Sequence, residues 1–403
     1  MKYVIVLGDG MADEPIESLG GKTPLEYAKT DMMDELAAVS EIGMLHTIPE
    51  GMKPGSDTAN LSVLGYDPKK YYSGRSPLEA LSIGVPMETD DIALRCNIVT
   101  LTEEEGIPFE ERTITDHSSG EISTEDCTVL VEALKATPGF LKEGYELYPG
   151  TSYRHCLIIK GGEVMDLSQP HDHLGCKIGE FLPEDSELLR MMKESYEILK
   201  DHPINIERKK AGLNPANCCW FWGAGTKPAL SSFEDAYHKK GVMISAVDLL
   251  KGIAVGAGMK VIKVPGANGG LDTNYEGKAQ AAVDALTKDV FELAYVHVEA
   301  PDEMGHQGSV EKKVKSIECL DARVIRPVVE GLKEAGVDFR LAILPDHPTP
   351  IRIRTHSSDP VPFMIYDSTN EGSFDHKYNE KDAKASGLYL AEGPMLMKRL
   401  LST

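Results

Sequence analysis

Seven side chains in this sequence are of kinds that hold divalent metals or attack phosphorus, and each stands where an apolar run or a loop ends. Ser56 follows Pro54-Gly55 and precedes Asp57-Thr58-Ala59-Asn60, which reads as the first turns of a helix. A hydroxyl there lies beside unpaired N–H groups and the positive end of the helix dipole. It can serve as a nucleophile left carrying a phosphate. Gly55 is expected to supply a sharp turn with a φ that side chains avoid. The plain alternative is a serine that only caps a helix. Asp9 directly follows the apolar run Tyr3 to Leu7, and Asp346-His347 follow Leu341 to Leu344. Asp302 and His306, four apart, come after the run ending at Val298 and share a face if a helix starts there. His356 lies in the loop from Arg354 to Ser357. Taken singly, each has an ordinary reading: a loop cap, a surface histidine, a satisfied buried one. Together, carboxylates and imidazoles are the mixed donors that suit Mn²⁺, Zn²⁺ or Co²⁺. With the Ser56 oxygen they are enough for two ions, which can bridge a phosphoryl group and lower a hydroxyl pKa.

A sheet must bring these residues to one edge. The fully apolar run at residues 3–7 suits a parallel strand covered on both faces. Further strands are expected at 40–47, 260–264, 293–298 and 339–344, with helices at 23–36, 246–255, 277–286 and 310–334. This alternation implies a doubly wound, mostly parallel α/β sheet, whose ligands gather at the carboxyl ends of the strands. Between about 90 and 210 the texture changes to strands at 93–101, 151–160 and 163–167 with helices near 125–136 and 184–200, an inserted α+β cap. The expected layout is therefore a core at 1–89 and 211–403 split by a cap at 90–210, with hinges near Asp90 and residues 205–217. Composition is that of a soluble globular chain: 403 residues, 41% hydrophobic and 26% charged. The net charge of −22 opposes binding to nucleic acid or anionic lipid, so an anionic substrate needs local cations or a metal. No apolar run is long enough for a membrane span, and the N-terminus enters a strand without a leader-like segment. The seven scattered cysteines form no CxxC pair, which points to reduced thiols and a cytoplasmic setting.

Five motifs, in order, are Val6-Leu7-Gly8-Asp9-Gly10, Gly55-Ser56-Asp57-Thr58-Ala59-Asn60, Asp302-Glu303-Met304-Gly305-His306, Leu344-Pro345-Asp346-His347 and Thr355-His356. The set resembles the alkaline phosphatase superfamily and, more narrowly, the archaeal-type cofactor-independent (2,3-bisphosphoglycerate-independent) phosphoglycerate mutases. The resemblance runs nearly end to end and includes Gly65-Tyr66-Asp67-Pro68 and the segment from Gly74 to Ala80. It implies that Asp302, His306 and His356 hold one metal ion, and that Asp9, Asp346, His347 and Ser56 hold the other. Mn²⁺ is the expected metal, with Zn²⁺, Co²⁺ or Mg²⁺ open. Ser56 would become phosphorylated while 3-phosphoglycerate and 2-phosphoglycerate interconvert beneath a closed cap.

In the insert, Thr115 to Gly120 resembles the family segment with an acid/base aspartate and a phosphate-contacting histidine, here Asp116 and His117. Arg154 and the run His171-Asp172-His173 also match family positions, with Asp172 and His173 as expected substrate contacts. A solvated loop and strand edge is their plain reading. Arg75 either contacts substrate, positions the nucleophile loop or makes a structural salt bridge; Arg95 and Lys278 are further candidates. Two positions depart from the family pattern: Trp222 stands where many archaeal mutases have arginine, and Pro345 where threonine precedes the Asp-His pair. Other chemistries on the same site remain open. A homoserine kinase would use a nucleotide donor, although no G-x-x-x-x-G-K-[ST] loop is present. A phosphatase or phosphonate hydrolase would release phosphate, and a structural metal protein would do neither.

Overall fold

The apolar runs form the middle of a sheet. A computed structural model describes residues 1–402. In chain order, β1 (Lys2–Gly8) and β2 (Glu41–Leu45) precede β3 (Ile92–Leu101), β4 (Ile114–Asp116), β5 (Tyr145–Tyr148), β6 (Arg154–Ile159) and β7 (Cys218–Thr226). They are followed by β8 (Gly241–Ile244), β9 (Lys260–Val261), β10 (Leu293–Val298), β11 (Phe339–Leu344), β12 (Val361–Asp367) and β13 (Tyr389–Leu390). The chain divides into two compact units: Met1–Tyr72 with Ala229–Thr403, and Ser73–Pro228.

The first unit carries an eight-stranded sheet in the order β13-β2-β12-β11-β1-β10-β8-β9. β1 pairs in parallel with both β10 and β11, and β8 extends the parallel set beside β10. Only β12 runs against its neighbours β11 and β2. Val4, Ile5, Val6 and Leu7 are fully buried, as strands covered on both faces require. The crossovers are helical, among them Asp248–Gly256 and Tyr275–Thr287. This is the doubly wound, mostly parallel α/β architecture read from the sequence.

Two helices differ from expectation for local reasons. The pattern at 23–36 divides into Pro24–Tyr27, capped by the Thr23 side chain, and Asp31–Ala37. The run at 310–334 holds a π-helical turn, Asp321–Ile325, between Val310–Leu320 and Arg326–Glu334. Pro327 lies just beyond it and has no N–H to return to the preceding turn. Asp321 in that turn accepts the backbone N–H of Met33 at 2.7 Å and of Met32 at 3.2 Å. It thereby caps Asp31–Ala37, whose own N-cap residue, Thr30, makes no side-chain cap bond.

The second unit is built on β3, antiparallel to β6 along one edge and to β7 along the other, with β4 at its end and β5 outside β6. Helices Thr124–Ala136 and Ser186–Leu199 bury Leu130, Leu134, Leu188 and Met192 in the same core. The expected limits of 90 and 210 both fall inside this unit. β7 pairs with β3 from Val99 to Ile92, so the core does not resume at 211. Helix Arg75–Ser82 also belongs here, where the Ser76 hydroxyl donates to the Gly223 carbonyl. The strand expected at 163–167 does not form, and these residues run as irregular chain after β6. Val164 is accordingly exposed.

Candidate active site

Three neighbouring parallel strands of the first unit end in metal-type residues. Asp9 follows β1, Asp302 and His306 stand on helix Ala300–His306 after β10, and Asp346-His347 follow β11. Gly10, at φ +60°, makes the turn after Asp9, and a Cβ there would come 2.8 Å from the Asp302 Cα. Ser56 opens helix Ser56–Val63 behind Gly55. Gly55 itself is extended at φ −176°, so no forbidden conformation is needed; its bareness instead makes room for the Asp57 carboxylate.

The distances are short. Ser56 Oγ lies 3.1 Å from His347 Nε2 and 3.4 Å from Asp9 Oδ2. His347 Nε2 is 3.5 Å from Asp9 Oδ1 and 3.4 Å from Asp346 Oδ2. Asp302 meets His306 at 3.1 Å and His356 at 3.4 Å, and the two Nε2 atoms of these histidines are 3.0 Å apart. Ligand atoms of Asp9, Asp346 and His347 fall within 4.8 Å of one another, as do those of Asp302, His347 and His356. His347 thus stands between the groups, its ring stacked on that of His356 at 3.9 Å.

A set of outer hydrogen bonds orients these donors. The Thr349 hydroxyl donates to Asp302, so it accepts from His347 Nδ1 and leaves Nε2 bare toward Ser56. His306 Nδ1 donates to the Arg354 carbonyl at 2.9 Å, which likewise frees its Nε2. Asn60 Nδ2 bonds the Ser56 carbonyl at 2.8 Å and Asp346 Oδ2 at 2.9 Å, while Tyr295 donates to Asn60 Oδ1 at 2.5 Å. Burial, then the carboxylates of Asp346, Asp302 and Glu299, push the Asp9 carboxyl well above its ordinary range. Asp9 Oδ1 is buried with no hydrogen-bond partner. Crowded carboxylates, an orphaned oxygen and bare imidazole nitrogens fit divalent cations, and Asp9, Asp302, His306, Asp346, His347 and His356 could hold two.

The second unit contains a different cluster. His117 lies edge-on to Tyr153 at 5.8 Å and to His171 at 5.9 Å, and His171 to Trp222 at 5.2 Å. Trp222 Nε1 donates to Asn97 Oδ1 at 3.0 Å, and Asn97 Nδ2 donates to the His117 carbonyl at 3.0 Å. The Arg95 guanidinium sits over the Trp222 ring at 4.5 Å and pairs with Glu79 at 2.6 Å. Arg75 also meets Glu79, at 2.9 Å. Arg154 stacks over Tyr153 at 5.4 Å. His117 Nδ1 is buried and has no partner.

Asp116 stands one residue from His117, but its oxygens are fully engaged. Oδ1 accepts from Ser118 N and Oγ, and Oδ2 from Gly120 N and Asn214 Nδ2, all within 2.8 Å. Burial raises its pKa, but these bonds outweigh it and hold the carboxyl below its ordinary range. Of the expected run 171–173, it is His171 that joins His117. His173 instead stacks on Phe181 at 3.7 Å, and Asp172 is exposed.

A family model described as 2,3-bisphosphoglycerate-independent phosphoglycerate mutase matches residues 37–205. The protein of that name from Methanosarcina barkeri is 49% identical to this chain, covering 98% of each. The chain belongs to the 2,3-bisphosphoglycerate-independent phosphoglycerate mutase family. Among solved structures, the cofactor-independent phosphoglycerate mutase of Thermoplasma acidophilum matches with a TM-score of 0.68 at 28% identity, covering 100% of this chain and 99% of its own. A protein from Pyrococcus horikoshii matches at 0.81 and 30% identity, covering 99% and 96%.

In this mutase-family chain, sequence reading missed the residues that orient the donors. Asn60 lies within a motif, four residues after Ser56, and that spacing could have placed it on the nucleophile's helix face. Thr349, Tyr295 and His297, whose Nε2 lies 2.9 Å from Asp9 Oδ2, carried no local signal. Their partners are 47 to 288 residues away in sequence, apart from the Thr349–His347 contact.

Proposed function

We propose that the protein interconverts 3-phosphoglycerate and 2-phosphoglycerate, without 2,3-bisphosphoglycerate, through a phosphoserine on Ser56. The observation that carries this is the Ser56 hydroxyl, 3.1 Å from His347 Nε2 and 3.4 Å from Asp9 Oδ2, at the opening of a helix. Asp9, Asp346, His347 and the Ser56 oxygen would hold one ion, and Asp302, His306 and His356 the other. When bound, two such ions lower the pKa of a hydroxyl and neutralise phosphoryl charge. Mn²⁺ is our assignment; Zn²⁺, Co²⁺ and Mg²⁺ accept the same donors.

The Ser56 Oγ–P bond forms as the P–O3 bond of 3-phosphoglycerate breaks, and the hydroxyl proton goes to the departing O3. Glycerate then offers O2. The O2–P bond forms, Oγ–P breaks, and the O2 proton returns to Ser56. No nucleotide or water is consumed, so water must be kept from the phosphoserine. Asn60 fixes both the Ser56 backbone and Asp346 during the exchange. His117, with its unpartnered nitrogen, and Arg154 are assigned to the anionic glycerate, with His171 beside them. Arg75 and Arg95, both bound to Glu79, are assigned to shaping that cluster. Asp116, with both carboxylate oxygens engaged by four hydrogen bonds, is assigned to shaping its loop rather than to proton transfer. All seven cysteines are free and six are buried, which supports a cytoplasmic setting. No helix among the described residues is long and apolar enough to cross a membrane.

The test supplies Mn²⁺-loaded protein with 3-phosphoglycerate alone and reads 2-phosphoglycerate through enolase. Product formation is expected, with loss after dialysis against a chelator and recovery on adding Mn²⁺. Inorganic phosphate released without 2-phosphoglycerate would make the protein a phosphatase. ADP formed from ATP and homoserine would make it a kinase.

A further inference from the structure

We infer that His297, itself fixed by Ser245, is a positioning residue that presents Asp9 to the ion Asp9 helps to hold. This rests on the reading of Asp9 as a metal ligand. His297 lies on β10, in register with Leu7 on β1, and is fully buried. Its Nε2 is 2.9 Å from Asp9 Oδ2, and its Nδ1 is 3.1 Å from the Ser245 hydroxyl. Ser245 Oγ already accepts the Val247 N–H at 3.0 Å, so its own proton is free to go to His297 Nδ1. Nε2 then carries the ring proton and donates it to Asp9. In its metal-binding, ionised form Asp9 cannot donate, so this direction gives the Ser245 hydroxyl, both His297 nitrogens and Asp9 Oδ2 a partner each.

The backbone is held as well. Lys278, fully buried, donates from Nζ to the His297 carbonyl at 2.8 Å. With Oδ2 engaged by His297, the unpartnered Oδ1 of Asp9 is the oxygen turned toward His347, at 3.5 Å. The relay therefore selects which Asp9 oxygen meets a cation and removes the rotation that would spoil it. Outer hydrogen bonds of this kind typically change metal affinity by about 10- to 100-fold when lost.

The experiment is calorimetric titration of Mn²⁺ into metal-stripped protein, with the parent expected to bind two ions. His297→Leu should weaken one ion by about 10- to 100-fold and leave the other within about threefold. His297→Gln, whose amide can still donate to Asp9, should recover most of that loss. Ser245→Ala, which frees the ring tautomer, should weaken the same ion by roughly threefold to tenfold. Both affinities unchanged in His297→Leu would overturn the inference. So would a Gln variant as weak as the Leu variant, because the ring nitrogen would then be a ligand rather than a donor. If circular dichroism shows that His297→Leu does not fold, Ser245→Ala decides, and an unchanged isotherm overturns the relay. Asp9→Asn separates the two readings. If it keeps both ions at parental affinity, the ligand reading itself fails, and the inference with it.

Discussion

The two clusters are held by different forces. In the first unit Asp9, Asp302, Asp346 and His347 are at most 5% exposed, and their orientation is set by hydrogen bonds from Asn60, Thr349, His297 and backbone N–H groups. In the second unit the Arg75 side chain is 52% exposed, Arg154 and His171 are exposed, and ring contacts of 4.5 to 5.9 Å stand beside the hydrogen bonds. Bond making needs donors fixed before the reaction, since reorganisation in the transition state costs rate. Holding a small anion needs only a few polar groups on an adaptable wall. Damage to the first cluster should therefore fall on kcat, and damage to the second on KM.

The sharpest break falls on the nucleophile. Ser56→Ala should lower turnover by about 10⁴-fold or more, while the calorimetric metal stoichiometry stays that of the parent. Turnover above a few per cent of the parent's would remove phosphoserine from the mechanism and dissolve the distinction between the units. Next comes His117→Ala, for which we expect a loss of roughly 10- to 100-fold in kcat/KM, mostly through KM. Steady-state kinetics against 3-phosphoglycerate decides it. A fall confined to kcat would place His117 among the bond-making groups.

The same contrast governs what the sequence made legible. Asp9, Asp302, His306, Asp346 and His347 were readable because they follow apolar runs, and topology alone brings the ends of β1, β10 and β11 together. Their supports were not, because Tyr295 and His297 look like ordinary strand residues until β10 lies against β1. In the second unit, composition marked the change of texture but not its limits. β7 reads as the start of a new βα alternation, and only its pairing with β3 assigns it to the insert. Among 171–173, nothing in the sequence separates the histidine that reaches His117 from the one stacked on Phe181. The Gly55 turn failed for a simpler reason: a helix can start from extended backbone.

Asp116 tests the boundary between the two kinds of residue. It belongs to the looser unit yet is held as tightly as any donor in the first, by four hydrogen bonds. Asp116→Asn swaps an acceptor for a donor facing Gly120 and Asn214. It should cost about 1–3 kcal/mol of stability through unsatisfied groups, with turnover within about fivefold of the parent, less than a lost general acid or base would cost. Chemical denaturation and the pH–rate profile measure both. Loss of one limb of the profile, with a fall of about 10²-fold, would restore Asp116 to proton transfer.

The smallest effect concerns a buried carboxylate that no cation needs to satisfy. Asp321, like Asp9, is buried within the first unit, but backbone N–H groups of Met32 and Met33 fill its oxygens. Burial lifts its pKa to about 6, against the lowering influence of those two bonds and of Arg326. In the unfolded chain an aspartate titrates near 3.9. The folded state therefore binds this proton more tightly, so the stabilisation is complete below about pH 4 and is lost as pH rises through 6. Asp321→Asn removes the charge and keeps one acceptor. On metal-stripped protein, its urea midpoint should gain on the parent's between pH 4.5 and 7; other carboxylates titrate alike in both proteins and cancel in the difference. A gap that stays constant over that range would mean that Asp321 remains ionised throughout. The two backbone bonds, Arg326 and the N-terminal dipole of Asp31–Ala37 would then together offset burial in full, and Asp9, whose Oδ1 has no such partner, would differ from it in kind rather than in degree.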